Sequence, residues 1–521
     1  MSDLLTSAQM RATERTAIES GDVTGAMLME RAGAGVVDRL VTRFPALEET
    51  RSSGRAPAAL ILCGPGNNGG DGYVIARLLR ARGWAVRVCA LGDPGALPAD
   101  AARNAGLWLE SGSVFPLSDA ARQLVADPPD LIVDALLGTG LTRPLPPAVR
   151  AALQAVEDAH AAHPGLVRVA VDIPSGLCAD SGRVLGAACH CDLTVTFHTA
   201  KPGHYLQDGA TYCSALEIVD IGLDAAPAQD SARLVLPPRD VAKRAGHKYD
   251  HGHALILSGP VGRTGAARLA ARAALRIGAG LVTLAAPGSA MMECAAQLTA
   301  IMLRRCDDAG ALAEILSDER LNAVCLGPGM GAGEETVARV SAALRMAETG
   351  ARGVVLDADA LSAFQADPDA LFALTANAPR TILTPHFGEF QRLFPDLARL
   401  LSDTPETGPA YSRLDAARAA ARRAGCIVLL KGADTVIAAP DGTARIHAAL
   451  YDRAAPWLAT AGAGDVLSGL IVGLLARGFA PLDAACMAAW LHVEAARHFG
   501  PGLIAEDLPD ALPPVLRALG L

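Results

Sequence analysis

Aromatic residues are scarce: Trp, Tyr and Phe make up 4% of the 521 residues. The hydrophobic fraction is nonetheless 51%, so the cores must be built of Ala, Leu and Val. No stretch offers the ~20 uncharged apolar residues of a membrane-spanning helix, because Arg and Asp interrupt the Ala-rich runs throughout. The opening MSDLLTSAQMRATERTA has no apolar core of signal-peptide length. Basic residues are in deficit: 46 Lys and Arg face 55 Asp and Glu, for a net charge of −9. That balance excludes an overall positive field for nucleic acid. The 11 cysteines include no Cys-x-x-Cys. Cys189-His190-Cys191 is the one close set, and with no second ligand pair at zinc spacing it reads as structural. Scattered thiols point to the reducing cytoplasm. A Walker-type GxxxxGK[ST] is absent, which excludes a P-loop site.

What is present is too long for one core. Domains of ~100–250 residues predict two or three in this length. Thr6 and Gln9 form a capping-box pattern that opens a first helix, and Leu28, Ala32 and Val36 mark one face of a second over 24–40. Short apolar runs then alternate with helical stretches: 58–63, 84–91, 131–134, 167–173 and 192–197 read as strands, and 72–82 as a helix. Repeated βα units predict a parallel sheet covered on both faces, with ligands at the carboxyl ends of its strands. The first such loop, Gly64 to Gly72, matches G-x-G-x-x-G, and Asp93 lies near ribose-binding distance, so an ordinary dinucleotide site competes. Asn67, Asn68 and Asp71 are more polar than a tight diphosphate turn requires; they suit a cation or substrate hydroxyls. Two later loops, Asp134 to Leu141 and Val171 to Leu177, each place an acid at a strand end. Asn68, Asp134 and Ser175 could gather oxygen ligands, a set that suits a monovalent ion better than zinc. Asp172 is then free for acid–base work. Lys201 is either its positive neighbour or a solvated loop lysine.

GPGNNGGDG, DALLGTGL, DIPSGL and the opening TSAQMRATE…LMERAG together resemble the NAD(P)H-hydrate epimerase domain over about 1–225. The resemblance implies a Rossmann-like three-layer α/β/α fold and interconversion of the R and S hydrates of NADH and NADPH (NADHX and NADPHX). It also implies a potassium ion (K+) at Asn68, Asp134 and Ser175. Substrate contacts carry over to Asn67, Asn68, Gly69, Gly70 and Asp71, to the loop of Gly138, Thr139, Gly140, Leu141, Thr142, Arg143 and Pro144, and to Asp172, the expected proton-transfer group.

Residues 226–240 are rich in Ala, Pro and polar side chains and read as a connection. A second βα rhythm occupies 241–521. Strands expected at 254–257, 281–285, 323–326, 354–356, 381–383 and 427–430 lead into Ser258-Gly259-Pro260, Gly327-Pro328-Gly329-Met330-Gly331, Asp357-Ala358-Asp359, Thr384-Pro385-His386-Phe387-Gly388-Glu389 and Lys431-Gly432-Ala433-Asp434-Thr435. Thr460-Ala461-Gly462-Ala463-Gly464-Asp465 then runs into an apolar helix. Asp465 either caps that helix or takes a proton from a hydroxyl beside a phosphate. Alone, His386 reads as structural, and Lys431 with Gly432 is as readily a surface turn as a functional one; as an ordered set at strand ends they imply a nucleotide site.

This set resembles the ribokinase-like α/β fold, and more narrowly the ADP- or ATP-dependent NAD(P)H-hydrate dehydratase, over about 240–521. The resemblance places Ala266, Gly329, His386 and Asp465 at the hydrate. It places Lys431, Gly432, Ala433, Asp434, Thr435 and Gly464 at the adenine nucleotide. The segment 451–458 lacks the family's usual Asn and Gly, and Tyr249 stands where Gly is common. Phosphorylating the hydrate's hydroxyl would turn a poor leaving group into phosphate, with Asp465 as general base and Mg2+ neutralising charge. The expected molecule is a bifunctional, homo-oligomeric, cytoplasmic repair enzyme acting on small molecules. The alternative is a vitamin-precursor kinase fused to a non-catalytic Rossmann-like binding module.

Overall fold

The computed structural model describes residues 3–49, 54–223 and 230–521. Residues 51–53 of the expected polar loop and 226–229 of the expected connection lie outside them. The chain divides into two compact units: one holds residues 3–232 and 403–412, the other 233–402 and 413–521.

In the first unit, Thr6 accepts from the Gln9 backbone and Gln9 returns the bond, so the capping box opens the helix Ser7–Ser20. The sheet runs Val114–Pro116, Ala85–Ala90, Ala58–Cys63, Leu131–Ala135, Val167–Val171, Leu193–Phe197, Leu216–Val219. Each neighbouring pair is parallel. Alternation decides the layers. Ala59, Ile61 and Cys63 pack with Val36 and Leu40 of the helix Gly25–Arg43 and Ile75 and Leu79 of the helix Asn67–Ala81. Leu60 and Leu62 face Val149 and Leu153 of the helix Pro147–Ala162. This is the expected three-layer α/β/α arrangement. The chain moves outward from Ala58–Cys63 on one side and returns at Leu131–Ala135 on the other, so the loops after these two strands flank a topological switch point.

In the second unit the order is Ala232–Leu234, Ala444–Ala448, Asp434–Ala438, Ile427–Leu430, Thr381–Leu383, Gly353–Leu356, Leu321–Leu326, His253–Leu257, Leu281–Ala286, Met302–Arg305. From Ile427–Leu430 to Met302–Arg305 it is parallel, and Asp434–Ala438 is antiparallel to both its neighbours. Ala232–Leu234 is a strand within the stretch expected to be connection; it pairs with Ala444–Ala448. The switch point lies between His253–Leu257 and Leu321–Leu326. The apolar helix Ala463–Ala476 is almost wholly buried, packed among the small residues Ala267, Ala270, Ala271 and Ala274 of the helix Gly265–Arg276. Its amino end is thereby fixed at the strands' carboxyl ends. No helix among the described residues is long and apolar enough to cross a membrane.

Candidate active sites

The Gly-rich stretch of the first unit is not the long loop expected. The helix begins at Asn67, with Gly66 as its cap, so Asn67, Asn68, Gly69 and Gly70 form its first turn and Asp71 follows. Asn67 is exposed, Asn68 half-buried, and Gly69, Gly70 and Asp71 buried. A helix start at a switch point presents unpaired N–H groups to an anion. Gly138 is closely approached: a Cβ there would lie 3.0 Å from Asn68 Oδ1 and 3.3 Å from Asp172 Oδ2, so those side chains would have to yield to it. In the rest of that loop, Thr139 is half-buried, Gly140, Thr142, Arg143 and Pro144 are exposed, and Leu141 turns into the core.

Asp134 and Ser175 meet directly. Ser175 donates to Asp134 through its hydroxyl (2.6 Å) and its backbone N–H (2.8 Å), and Leu136 N–H adds a third bond at 3.2 Å. The Leu137 N–H donates to Ser175 Oγ at 2.8 Å, which brings the pair beside Gly138 and so beside Asn68. Burial raises the Asp134 carboxyl above its usual range, an effect these hydrogen bonds only partly offset. Asn68 Nδ2 is buried without a partner. No cation among the described residues offsets this buried carboxyl, and with the Ser175 hydroxyl and the Asn68 amide oxygen near it, it fits a hard cation. Among the described residues no group of three or more His, Cys, Asp and Glu could hold a metal, so a site here would rest on mixed oxygens.

Asp172 is not free. Thr196 Oγ1 and Lys201 Nζ both donate to its Oδ1 at 2.8 Å. Lys201 is buried, which overturns the solvated-loop alternative. Burial pushes the Asp172 carboxyl up, but Lys201, His204 and Thr196 outweigh it and hold it below its usual range. Asp71 is shifted the opposite way, well upward, by burial and then by the charges of Asp172 and Glu14. Two carboxyls pushed apart in this way can divide acid and base roles. Thr196, His204 and Glu14 were not singled out by sequence. Cys189-His190-Cys191 is structural, as expected: His190 bonds Glu157 and stacks on Tyr212.

In the second unit Asp465 does not cap its helix. Gly462 holds that position with φ +90° and no side-chain bond; a Cβ there would stand 2.9 Å from both Ala505 and Leu269. Asp465 sits in the first turn, half-buried. Burial and then Asp357 push its carboxyl up to about 7; Lys431 opposes this, and Asp359 and Glu389 add to it. Lys431 Nζ lies 2.6 Å from Asp357 Oδ1 and 4.0 Å from Glu389 Oε2, and 3.5 Å from where a Gly464 Cβ would be. Despite burial its ammonium is held above the usual range by Asp357, Glu389 and Asp465. Ser468 Oγ donates to Asp357 Oδ2 at 2.5 Å. His386 caps the helix Phe387–Leu393: its Nδ1 accepts from Gly388 and Glu389 N–H (3.0 and 3.3 Å), while Glu389 accepts from His386 N–H at 2.8 Å. Its ring stays exposed. Ala266 lies in the first turn of the helix Gly265–Arg276. Gly329, at φ +71°, packs its carbonyl against Gly259.

Beside Lys431 opens a cavity of about 500 Å³. Lys431, Gly432, Ala433, Thr435 and Gly464 line one side, and Ala449, Ala454, Ala455, Leu467 and Val493 make it mostly apolar. Asp434 is not on its wall; it pairs with Arg413 at 3.1 Å. The Thr435 hydroxyl closes the 432–435 turn by donating to the Gly432 carbonyl at 2.7 Å. His447 and His492, which sequence reasoning missed, also line the cavity. Burial drives them down to about 3 and about 4, so both are neutral. A residue in an antiparallel strand and another in a late helix carry no shared sequence signal.

Two family models match the chain: NAD(P)H-hydrate dehydratase over residues 254–512 and YjeF-related protein N-terminus over 25–203. The bifunctional NAD(P)H-hydrate repair enzyme Nnr of Moorella thermoacetica is 37% identical, covering 99% of this chain and 97% of its own length. That of Escherichia coli is 34% identical, covering 95% and 90%. Among solved structures, an ADP/ATP-dependent NAD(P)H-hydrate dehydratase from Bacillus subtilis, co-crystallized with ATP and Mg2+, is 29% identical over 55% of this chain and 95% of its own, with a TM-score of 0.44. Matched along nearly its whole length by such relatives, the chain belongs to the family of bifunctional NAD(P)H-hydrate repair enzymes.

Proposed function

We propose that residues 1–225 epimerise the R and S hydrates of NADH and NADPH, and that residues 241–521 dehydrate the S form to NAD(P)H at the expense of ADP or ATP. The observation that carries the second reaction is the half-buried Asp465, beside Lys431 and a nucleotide-sized cavity. Asp465 takes the proton of the hydrate's hydroxyl as that oxygen attacks the terminal phosphoryl group, and the bond to the bridging oxygen breaks to release AMP from ADP, or ADP from ATP. Phosphate then leaves with the C–O electron pair, pushed by the ring nitrogen, and loss of the neighbouring carbon's proton restores the dihydronicotinamide. Lys431, Gly464 and the 432–435 turn bind the phosphates, and the apolar cavity takes the adenosine. Asp357, Glu389 and Asp465 face one lysine here, and Asp359 adds its charge beside Asp465. That excess of negative charge suits Mg2+, which Asp359 and Glu389 would hold and which would neutralise charge on the transferred group.

In the first unit, Asp172 accepts the hydroxyl proton of the hydrated carbon. The ring C–N bond opens to an aldehyde, and reclosure on its other face gives the other epimer as the proton returns. Asn68, Asp134 and Ser175 are the residues that would hold K+, whose charge would offset Asp134. A non-catalytic first module, the alternative reading, leaves the paired Asp172 and Lys201 without a task. We assign the enzyme to the cytoplasm as a homo-oligomer.

The test is direct. Mixed epimers of NADHX are added with ADP or ATP, and absorbance is followed in the reduced-nicotinamide band. Complete recovery is expected, whereas an Asp172→Asn enzyme should stop once the S fraction is consumed. Recovery that needs no nucleotide would sink the dehydratase reading.

A further inference from the structure

Lys201 is among the largest fully buried side chains of the protein, 1% exposed. A buried ammonium is tolerated only where its protons are spoken for, and here all three are. Nζ donates to Asp172 Oδ1 (2.8 Å), to Thr196 Oγ1 (2.7 Å) and to the Phe197 carbonyl (3.3 Å). No N–H remains to give a substrate, so whatever Lys201 contributes passes through Asp172.

The rest of the surroundings aim the same carboxylate. Asp172 adopts φ +68°, the left-handed region that non-glycine residues avoid. Its backbone is pinned on both sides: its N–H donates to the Val195 carbonyl at 2.7 Å, and His204 Nε2 sits 2.9 Å from its carbonyl oxygen. His204 Nδ1 in turn accepts from the Lys201 N–H at 2.9 Å, which fixes the tautomer with the proton on Nε2. The carboxylate's two oxygens are thereby divided. Oδ1 is consumed by Thr196 and Lys201; Oδ2 lies on the side of Gly138, where an added Cβ would stand 3.3 Å from it. The charged and titratable groups facing Asp172 are Glu14 from the first helix, Asp71 from the helix Asn67–Ala81, and Lys201 and His204 from the loop after Leu193–Phe197. Two are acids and His204 is neutral, so Lys201 is the cation of this cluster.

We infer that Lys201 is a positioning residue of the epimerase: with Thr196 it locks Asp172 Oδ1 and leaves Oδ2 as the single basic oxygen turned to the 138–144 loop. This rests on the epimerase reading above. A residue whose role is orientation and charge should leave substrate affinity nearly untouched while lowering the chemical step.

The test uses the full chain, and the melting of its first unit, followed in every sample, reports that the epimerase half has folded. Lys201→Ala should lower kcat for epimer exchange about 10²-fold, with KM within about two-fold. A saturable primary alkylamine, propylamine, should restore part of the loss by supplying an ammonium to the vacated slot. Thr196→Val, of the same shape, should lower kcat about ten-fold. Wild-type exchange by Lys201→Ala would overturn the inference. So would an amine-insensitive loss carried by KM, which would make the lysine a binding or packing residue. Failure of the underlying reading looks different: wild-type protein would exchange no epimers, or Asp172→Asn would exchange them at full rate.

Discussion

Replacing Asp465 by Asn should cost the enzyme its dehydratase turnover and at the same time stabilise its fold. The structure holds this carboxyl at about 7 against an ordinary 3.8. An unfolded chain releases that proton near pH 4, whereas the native protein keeps it until about 7. Over this interval the native state binds the extra proton, so stability falls as pH rises, and the loss is complete above pH 7. About three pH units at about 1.4 kcal/mol each put the full penalty at about 4 kcal/mol. An amide pays none of it. Asp465→Asn should therefore melt later than wild type, and the gain should be about 2 kcal/mol smaller at pH 5.5 than at pH 8.5, since part of the penalty has not yet accrued at the lower pH. For a unit of this size that difference is roughly 4–8 °C in Tm. Turnover should fall by ~10²–10⁴. Wild-type kcat/KM should climb about ten-fold per pH unit below 7 and level above it, while the variant's should be flat across that range. Calorimetry at the two pH values and an absorbance assay across pH 5.5–8.5 read all of this. An active Asp465→Asn enzyme, or a melting gain equal at both pH values, would refute a proton-taking role for a carboxyl destabilised by its burial.

Three further outcomes separate the two units. Gly138→Ala brings a methyl to 3.0 Å from Asn68 and 3.3 Å from Asp172; epimer exchange should fall more than about ten-fold, while dehydration of pure S substrate stays at the wild-type rate. Exchanging KCl for choline chloride should slow epimer exchange and lower the first unit's melting temperature, because Asp134 is buried with no cation beside it among the described residues; Asp134→Asn should lose the salt-specific part of both responses. ADP at about 100 times its Kd should stabilise the second unit by about 2.7 kcal/mol, and Ala449→Phe, which projects a ring into the 500 Å³ cavity, should abolish that shift without touching epimer exchange.

The strand ends were legible because a parallel sheet buried on both faces leaves a short apolar run that stops at Gly, Pro or Asp. The placing of Asp134, Ser175 and Lys431 just past strand ends follows from that rhythm, whereas the strand order that makes the two switch points does not. What was not legible is what each polar group does with its neighbours. Residues 64–72 read as a loop because glycine is a poor helix former, yet the helix starts at Asn67: the backbones at Gly64 and Gly69 approach so closely that a Cβ on Gly69 would meet the Gly64 carbonyl oxygen at 2.0 Å. Packing overrides propensity there. Asp465 one turn from its helix start looks like a cap in one dimension; it cannot be one, because Gly462 alone fits the positive φ that the turn demands. Lys201 has the same sequence surroundings whether solvated or buried. The partner that decides, Asp172, lies 29 residues away, just past the strand Val167–Val171, and Thr196, hidden in the apolar run Leu193–Phe197, completes the contact. His386 shows the reverse case. Its structural reading was right as far as Nδ1, which closes a capping box with Glu389, and that same bond fixes the exposed ring at the site's edge. Sequence therefore reports which residues reach a site, through periodicity and turn chemistry. Their charge states are set by burial and by partners distant in the chain, and the base roles proposed for Asp465 and Asp172 rest on those states.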